Sequence, residues 1–246
     1  MASIASRGAM TDSLFDRYYY LKPQFVNGTA RFFDLITRHV PERLAILEIG
    51  AGPTNPTSSF LASLGNLTGL DVSEEVKQNC YLQDALVYDG GIFPFASQSF
   101  DLCVSNYVLE HVADPSTHFC EVTRVLKPGG KYCFRTPNLW HYIPLAARLM
   151  PHSLHLKLAN GLRGLGDGAH DPWPTVYRAN TLPTLKKLRS AAGLAPLECN
   201  LIESEPSYGR SSVFLFFPMM MYERLVNSTD LLRPFRINFQ AVFQKP

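Results

Sequence analysis

The chain has 246 residues, 46% hydrophobic and 18% charged, with a formal net charge of +2. That is enough for one sizeable core, and it favours a single domain or a domain carrying an insertion. A scattered and nearly balanced charge argues against a nucleic-acid partner, which calls for a dense basic stripe; the closest clusters, Lys186–Lys187–Arg189 and Arg233 with Arg236, read as solvated surface.

The first ten residues, MASIASRGAM, lack the apolar stretch of a secretory leader. Residues 1–40 read as an N-terminal helical segment, with Phe32, Phe33 and Ile36 packing over the sheet edge. From 41 to 137 strand-like and helix-like patterns alternate, as in a parallel α/β sheet. Ala45–Ile49 is the first buried strand, and Asn55-Pro56 starts a helix with an Asn cap and proline at the first helical position. Asn66–Leu70 is the second strand, with Asp71 at its end. Cys80–Gln83 is a third, ending at Asp84, and Phe100–Ser105 a fourth. Asp114-Pro115 opens a helix that turns Phe119, Val122, Val125 and Leu126 inward. Pro128-Gly129-Gly130 breaks it before a fifth strand, Lys131–Arg135. Residues 138–180, aromatic and glycine-rich, read as an insertion or lid on the acceptor side. Residues 181–246 complete the sheet: a Thr181-capped helix closed by Gly193, then strands Ala195–Ile202 and Ile237–Gln244 around a helical excursion. The apolar run 213–222, VFLFFPMMMY, is too short to span a bilayer. Its default is burial, with a peripheral membrane face or a homodimer contact as alternatives. Cys80, Cys103, Cys120, Cys133 and Cys199 form no CxxC pair, so they read as free thiols of a reducing compartment, and the cytoplasm is the expected location.

The chemistry concentrates between the first strand and the Asn55-Pro56 helix start. In Glu48-Ile49-Gly50-Ala51-Gly52, two glycines let the backbone pass close under a ligand, and the helix start offers N–H groups and a positive dipole end. Asp71 points at the same crevice, where open α/β sheets bind ligands, and a carboxylate there can accept from both ribose hydroxyls of a nucleoside. A dinucleotide fingerprint asks for a third glycine where Asn55 stands, which favours S-adenosylmethionine over a nicotinamide cofactor.

Six segments in order, LEIGAG (47–52), GLD (69–71), QDA (83–85), FPFASQSFD (93–101), VSNYVLEHV (104–112) and RVLKPGG (124–130), resemble the class I S-adenosylmethionine-dependent methyltransferases. RTPNLWHY (135–142) and YRANT (177–181) resemble bacterial members less specifically, and the family's common third glycine is Thr54 here. The resemblance implies an α/β fold: a Rossmann-like, seven-stranded, mostly parallel sheet with helices on both faces and a helical insertion after strand five. It implies that Glu48, Gly50 and Gly52 line the methionyl end of the cofactor, that Asp71 holds the ribose, that Asp84 and the Ala85 N–H meet the adenine, and that Asn106 and Tyr107 lie near the sulfonium. Similar enzymes often fold an N-terminal tyrosine over the cofactor, which makes Tyr19 a candidate among Tyr18, Tyr19 and Tyr20.

Methyl transfer from a sulfonium is an in-line displacement with a good leaving group, so alignment in a dry cleft carries most of it. A neutral hydroxyl acceptor also needs its proton removed. His111, His141 and His170 are the candidate bases, with Asp171 as a partner for His170. The lid's apolar and aromatic side chains point to a small, partly hydrophobic acceptor methylated on oxygen, a metabolite or a lipid or glycan intermediate. A non-catalytic cofactor-binding regulator and a nicotinamide-dependent oxidoreductase are the competing readings.

Overall fold

In the computed structural model, which describes residues 11–40, 43–149, 174–207, 209 and 212–246, the run LAILEI forms β1 (Leu44–Ile49) and all but Ala45 are buried. A strand hidden on both faces belongs inside a parallel sheet. β1 lies there, paired in parallel with β2 (Gly65–Asp71) on one side and β4 (Phe100–Asn106) on the other. β3 (Asp84–Val87) follows outside β2, and β5 (Leu126–Pro137) outside β4, both in parallel. β6 (Ala195–Ile202) and β7 (Asn238–Gln244) complete seven strands in the order β3-β2-β1-β4-β5-β7-β6, with β7 antiparallel to β5. The chain leaves β1 to build β2 and β3, then crosses back to build β4. The connections after β1 and β4 therefore part company, and a crevice opens at the C-terminal ends of these strands.

The helices are α1 (Gly28–His39), α2 (Pro56–Ala62), α3 (Pro115–Val125), α4 (Tyr142–Leu149), α5 (Leu182–Ala191) and α6 (Val213–Asn227). The expected caps form: Asn55 accepts from the Thr57 and Ser58 N–H groups, Asp114 from Ser116 and Thr117, and Thr181 from Thr184.

Strand alternation decides what each face carries. One face packs Ile46, Leu102, Val104, Cys133 and Val242 under Phe32, Leu35 and Ile36 of α1 and Leu61 of α2. α1 thus shares a core with the central strands, and at its C-terminal end Arg38 and His39 reach Glu198 on the edge strand β6, as expected of a helix over the sheet edge. The other face sets Tyr132 and Phe134 edge-to-face against Phe119 of α3, and Phe243 edge-to-face against Phe134. By the same period of two, Glu48, Asn106 and Arg135 fall on the α1–α2 face at the strand ends, and Ser105 falls on the α3 face.

Two strand boundaries differ from expectation. β5 begins at Leu126, with a register irregularity between Phe100 and Leu102. β3 starts at Asp84 where the sequence was expected to end it. Residues 80–83 are instead drawn into turns, with Asn79 Oδ1 accepting the Tyr81 N–H and the Leu82 side chain lying over Gly69, where a Cβ would collide with it.

As far as the described residues go, the chain divides into two compact units. One is drawn from Phe32–Leu139, Thr175–Asn200 and Asn238–Pro246 and holds most of the sheet; the other is drawn from Met1–Arg31, Trp140–Pro174 and Leu201–Ile237. The second has its own small aromatic core of Phe15, Tyr19 and Phe216.

Candidate cofactor-binding site

At the end of β1 the backbone turns through Gly50 (φ +70°) and Gly52 (φ +55°), a region in which a side chain brings strain. The two glycines serve different ends. A Cβ on Gly50 would strike the side chain of Val108, whereas a Cβ on Gly52 would meet nothing within 4 Å, so the bend opens at Gly52. Gly50 donates its N–H to Leu70 O at 2.7 Å, and Gly52 donates to Asp71 Oδ2 at 2.8 Å. Asp71 Oδ1 accepts the Ser73 N–H at 2.8 Å. The carboxylate is thus turned toward the open bend, and each oxygen can still accept a further donor, as a vicinal diol would supply.

The rest of the loop is clamped by side chains. Asn55 Nδ2 donates to Ala51 O and Pro53 O, and Asn79 Nδ2 donates to Ser58 Oγ at 2.8 Å and to Gly52 O at 3.2 Å. Thr54, where a glycine was expected, donates its hydroxyl to Gln78 O and accepts the Cys80 N–H, tying the loop to the segment before β3. The N–H groups at the start of α2 were expected to face a ligand. Those of Thr57 and Ser58 are already taken by Asn55 Oδ1, at 2.8 and 3.0 Å. Asn79 carried no motif signal in the sequence.

Beneath the bend, buried Glu48 accepts the Ser58 hydroxyl at 2.7 Å. Burial pushes its carboxyl up to about 7; the Ser58 bond opposes this and the charge of Asp71 adds to it. At the end of β4, Asn106 Nδ2 donates to Thr57 Oγ1 at 2.9 Å, and its Oδ1 accepts from Arg135 Nε at 2.7 Å. The amide expected near the sulfonium therefore ties β4 to α2 and β5. Tyr107 has a left-handed backbone (φ +60°) and donates its N–H to Arg135 O. Its half-exposed ring lies over the Arg135 guanidinium at 4.5 Å, with Phe32 at 5.4 Å from the same guanidinium. Arg135, in the RTPN segment, was not read as a site-shaping residue. On the opposite face, Ser105 Oγ, Tyr132 Oη and His118 Nε2 form a buried chain at 2.7 and 3.0 Å.

Other expected positions fall elsewhere. Asp84 and Ala85 open β3 opposite Thr68 and Gly69, at the wrong end of the strand for a ligand held at C-terminal strand ends. The carboxylate that follows β3 is Asp89, exposed, with Oδ1 accepting the Gly91 N–H at 2.9 Å. Tyr19 is buried, and its hydroxyl donates to Glu223 at 3.0 Å, so it is not presented to a ligand. His111 is half-buried in the turn after β4. His141 is buried; its Nδ1 accepts the Ile143 N–H at 3.2 Å and its Nε2 lies 3.6 Å from Glu203 Oε2. His170, Asp171 and Trp173 lie outside the described residues.

Residues 47–134 match the methyltransferase domain family. The malonyl-[acyl-carrier protein] O-methyltransferase of Erwinia billingiae is 34% identical over 113 residues, 44% of this chain and 45% of that protein. The demethylmenaquinone methyltransferase of Tropheryma whipplei is 29% identical over 92 residues, 35% of this chain and 38% of that protein. The crystal structure of an S-adenosylmethionine-dependent methyltransferase from Mesorhizobium loti superposes with a TM-score of 0.56 at 16% identity, covering 87% of this chain and 96% of that one. The fold is shared with solved S-adenosylmethionine-dependent methyltransferases, and the stretch that carries the bend is the one that matches the methyltransferase domain family. The chain spans a little under half the length of the first curated relatives it matches. The residues present fit the cofactor: an open bend at Gly52, a carboxylate turned toward it, and a second, buried carboxylate beneath. Among the described residues no helix is long and apolar enough to cross a membrane, and no cluster of metal-binding side chains occurs.

Proposed function

We propose that the chain methylates an oxygen of a small, partly hydrophobic acceptor, using S-adenosylmethionine held at the Gly50–Gly52 bend. The observation that carries this reading is the Asp71 carboxylate facing the open Gly52 across 2.8 Å. Asp71 accepts from the ribose hydroxyls. Gly52 leaves room for the methionyl end, over Glu48. Asp89, at the proper end of β3, takes the adenine-side role first expected of Asp84. The Tyr107 ring, fixed from behind by Arg135, borders the reacting end. The cofactor supplies an activated methyl group, so the protein's task is to align the acceptor and exclude water. His111, in the same unit as the bend, receives the acceptor's proton. Methylation on oxygen and the hydrophobic acceptor are supported by the relative named as an O-methyltransferase and by the quinone-methylating one.

Calorimetric titration tests the reading. S-adenosylhomocysteine should bind in the micromolar range, NAD should not, and Asp71→Ala should abolish binding. Comparable affinity for NAD would overturn it. Incubation with methyl-labelled cofactor and cell extract should label a small molecule; binding without any labelled product would mark a non-catalytic cofactor-binding protein.

A further inference from the structure

Helix α6 buries its acid and exposes its apolar residues. Ser212 caps it through the Phe214 N–H, and Phe216, Glu223 and Val226 turn inward. Glu223 accepts the Tyr19 hydroxyl and the Asn227 amide. The opposite face carries Phe214, Phe217, Met221 and Leu225, spaced by three, four and four residues, which makes one stripe along three turns. Phe214 is 90% exposed, Met221 65% and Leu225 57%. Leu231, 82% exposed on the short helical segment Asp230–Phe235 after α6, adds to the apolar surface of this unit. A soluble protein rarely leaves such a surface open unless something docks on it.

The charges indicate what docks. The one acid of α6, Glu223, faces inward and pairs with Arg224 Nε at 3.3 Å, while the Arg224 side chain stays 57% exposed. Among the described residues of this unit the exposed charged side chains are Arg17, Lys22, Arg31, Arg148 and Arg224 against Asp12, Asp16 and Asp230. We propose that α6 is a docking surface for an anionic lipid bilayer, its Phe214–Phe217–Met221–Leu225 stripe entering the headgroup–acyl boundary and its arginine meeting lipid phosphates. A second copy fits less well. Four side chains on one helix fall short of the roughly 20–30 residues a side of a stable interface, and two positively charged units would face each other.

Vesicle flotation tests this without reference to catalysis. The intact protein should float with vesicles of phosphatidylcholine and phosphatidylglycerol about tenfold more tightly than with phosphatidylcholine alone, and salt should weaken it. Phe214→Glu and Met221→Glu, at exposed positions that leave the fold intact by circular dichroism, should each abolish flotation while S-adenosylhomocysteine affinity stays unchanged. Equal binding to neutral vesicles would overturn the anionic assignment. No flotation at either composition would overturn the proposal, and a dimer in sedimentation equilibrium that Met221→Glu dissolves would assign the stripe to a second copy.

Discussion

Asp71 and Gly52, nineteen residues apart, are joined by a 2.8 Å hydrogen bond from the Gly52 N–H to Asp71 Oδ2, while Oδ1 accepts from Ser73. Both carboxylate oxygens therefore serve backbone donors, and an amide cannot replace them. In Asp71→Asn the NH₂ group must face one of those two N–H groups. The loss should be about 1–3 kcal/mol of stability, as for a backbone group left unsatisfied, together with cofactor affinity. Asp71→Glu keeps two acceptors but moves them, so it should bind weakly and fold better than Asp71→Asn. Chemical denaturation with calorimetric titration checks the order of the three proteins.

Glu48 gives the protein a pH dependence of a defined sign. Its carboxyl is raised from 4.5 to about 7, chiefly by burial. The folded state thus holds a proton that the unfolded chain releases. The stability this contributes is fully present below pH 4.5 and is lost as pH rises through 7, by on the order of 3 kcal/mol. Glu48→Gln removes the titration. At pH 8 the variant should be more stable than the wild type by that amount, and at pH 4 the two should be close. Melting curves across this range read it directly.

The succession of strands along the chain and the glycine bend were legible because they rest on local signals: an apolar run with both faces buried, glycines at a turn, an Asn-Pro helix start. What was not legible depends on side chains meeting across the chain. Asn79 has no motif around it, yet its amide bonds Ser58 and the Gly52 carbonyl. Asn106 looked like a residue facing the reacting centre, but Thr57 and Arg135, 49 and 29 residues away, take its amide. Asp84 was misplaced for a local reason: residues 80–83 have strand-like chemistry, but the Asn79 turn holds them, so the strand starts four residues later than read and its first carboxylate falls at the wrong end.

His118 should act on stability in the opposite direction to Glu48. It is buried, its Nε2 shares a hydrogen bond with the Tyr132 hydroxyl, and burial lowers it from 6.5 to about 4. The folded state resists protonation that the unfolded chain accepts. Stability is full above pH 6.5 and is lost as pH falls through 4, by on the order of 3 kcal/mol. Between pH 4.5 and 6.5 the two groups pull against each other, so the wild-type profile should be shallow there. His118→Gln, which keeps a polar partner for Tyr132, should remove the acid-side loss and leave the decline at higher pH. Glu48→Gln should do the reverse. A wild-type-like acid limb in His118→Gln would assign the loss to other groups.

Gly50 and Gly52 both lie at positive φ, but their surroundings differ, and this separates stability from binding. An added methyl at either position carries about 1–2 kcal/mol of backbone strain. At Gly50 it also strikes Val108, and overpacking typically adds about 1–3 kcal/mol. At Gly52 it meets no protein atom and occupies the space left for the cofactor. Gly50→Ala should therefore be the less stable protein, and Val108→Ala in the same chain should restore part of the loss. Gly52→Ala should lose only the backbone strain in stability and lose S-adenosylhomocysteine affinity by tenfold or more, about 1.4 kcal/mol. A Gly52→Ala protein of undiminished affinity would show that the ligand does not pass over this bend.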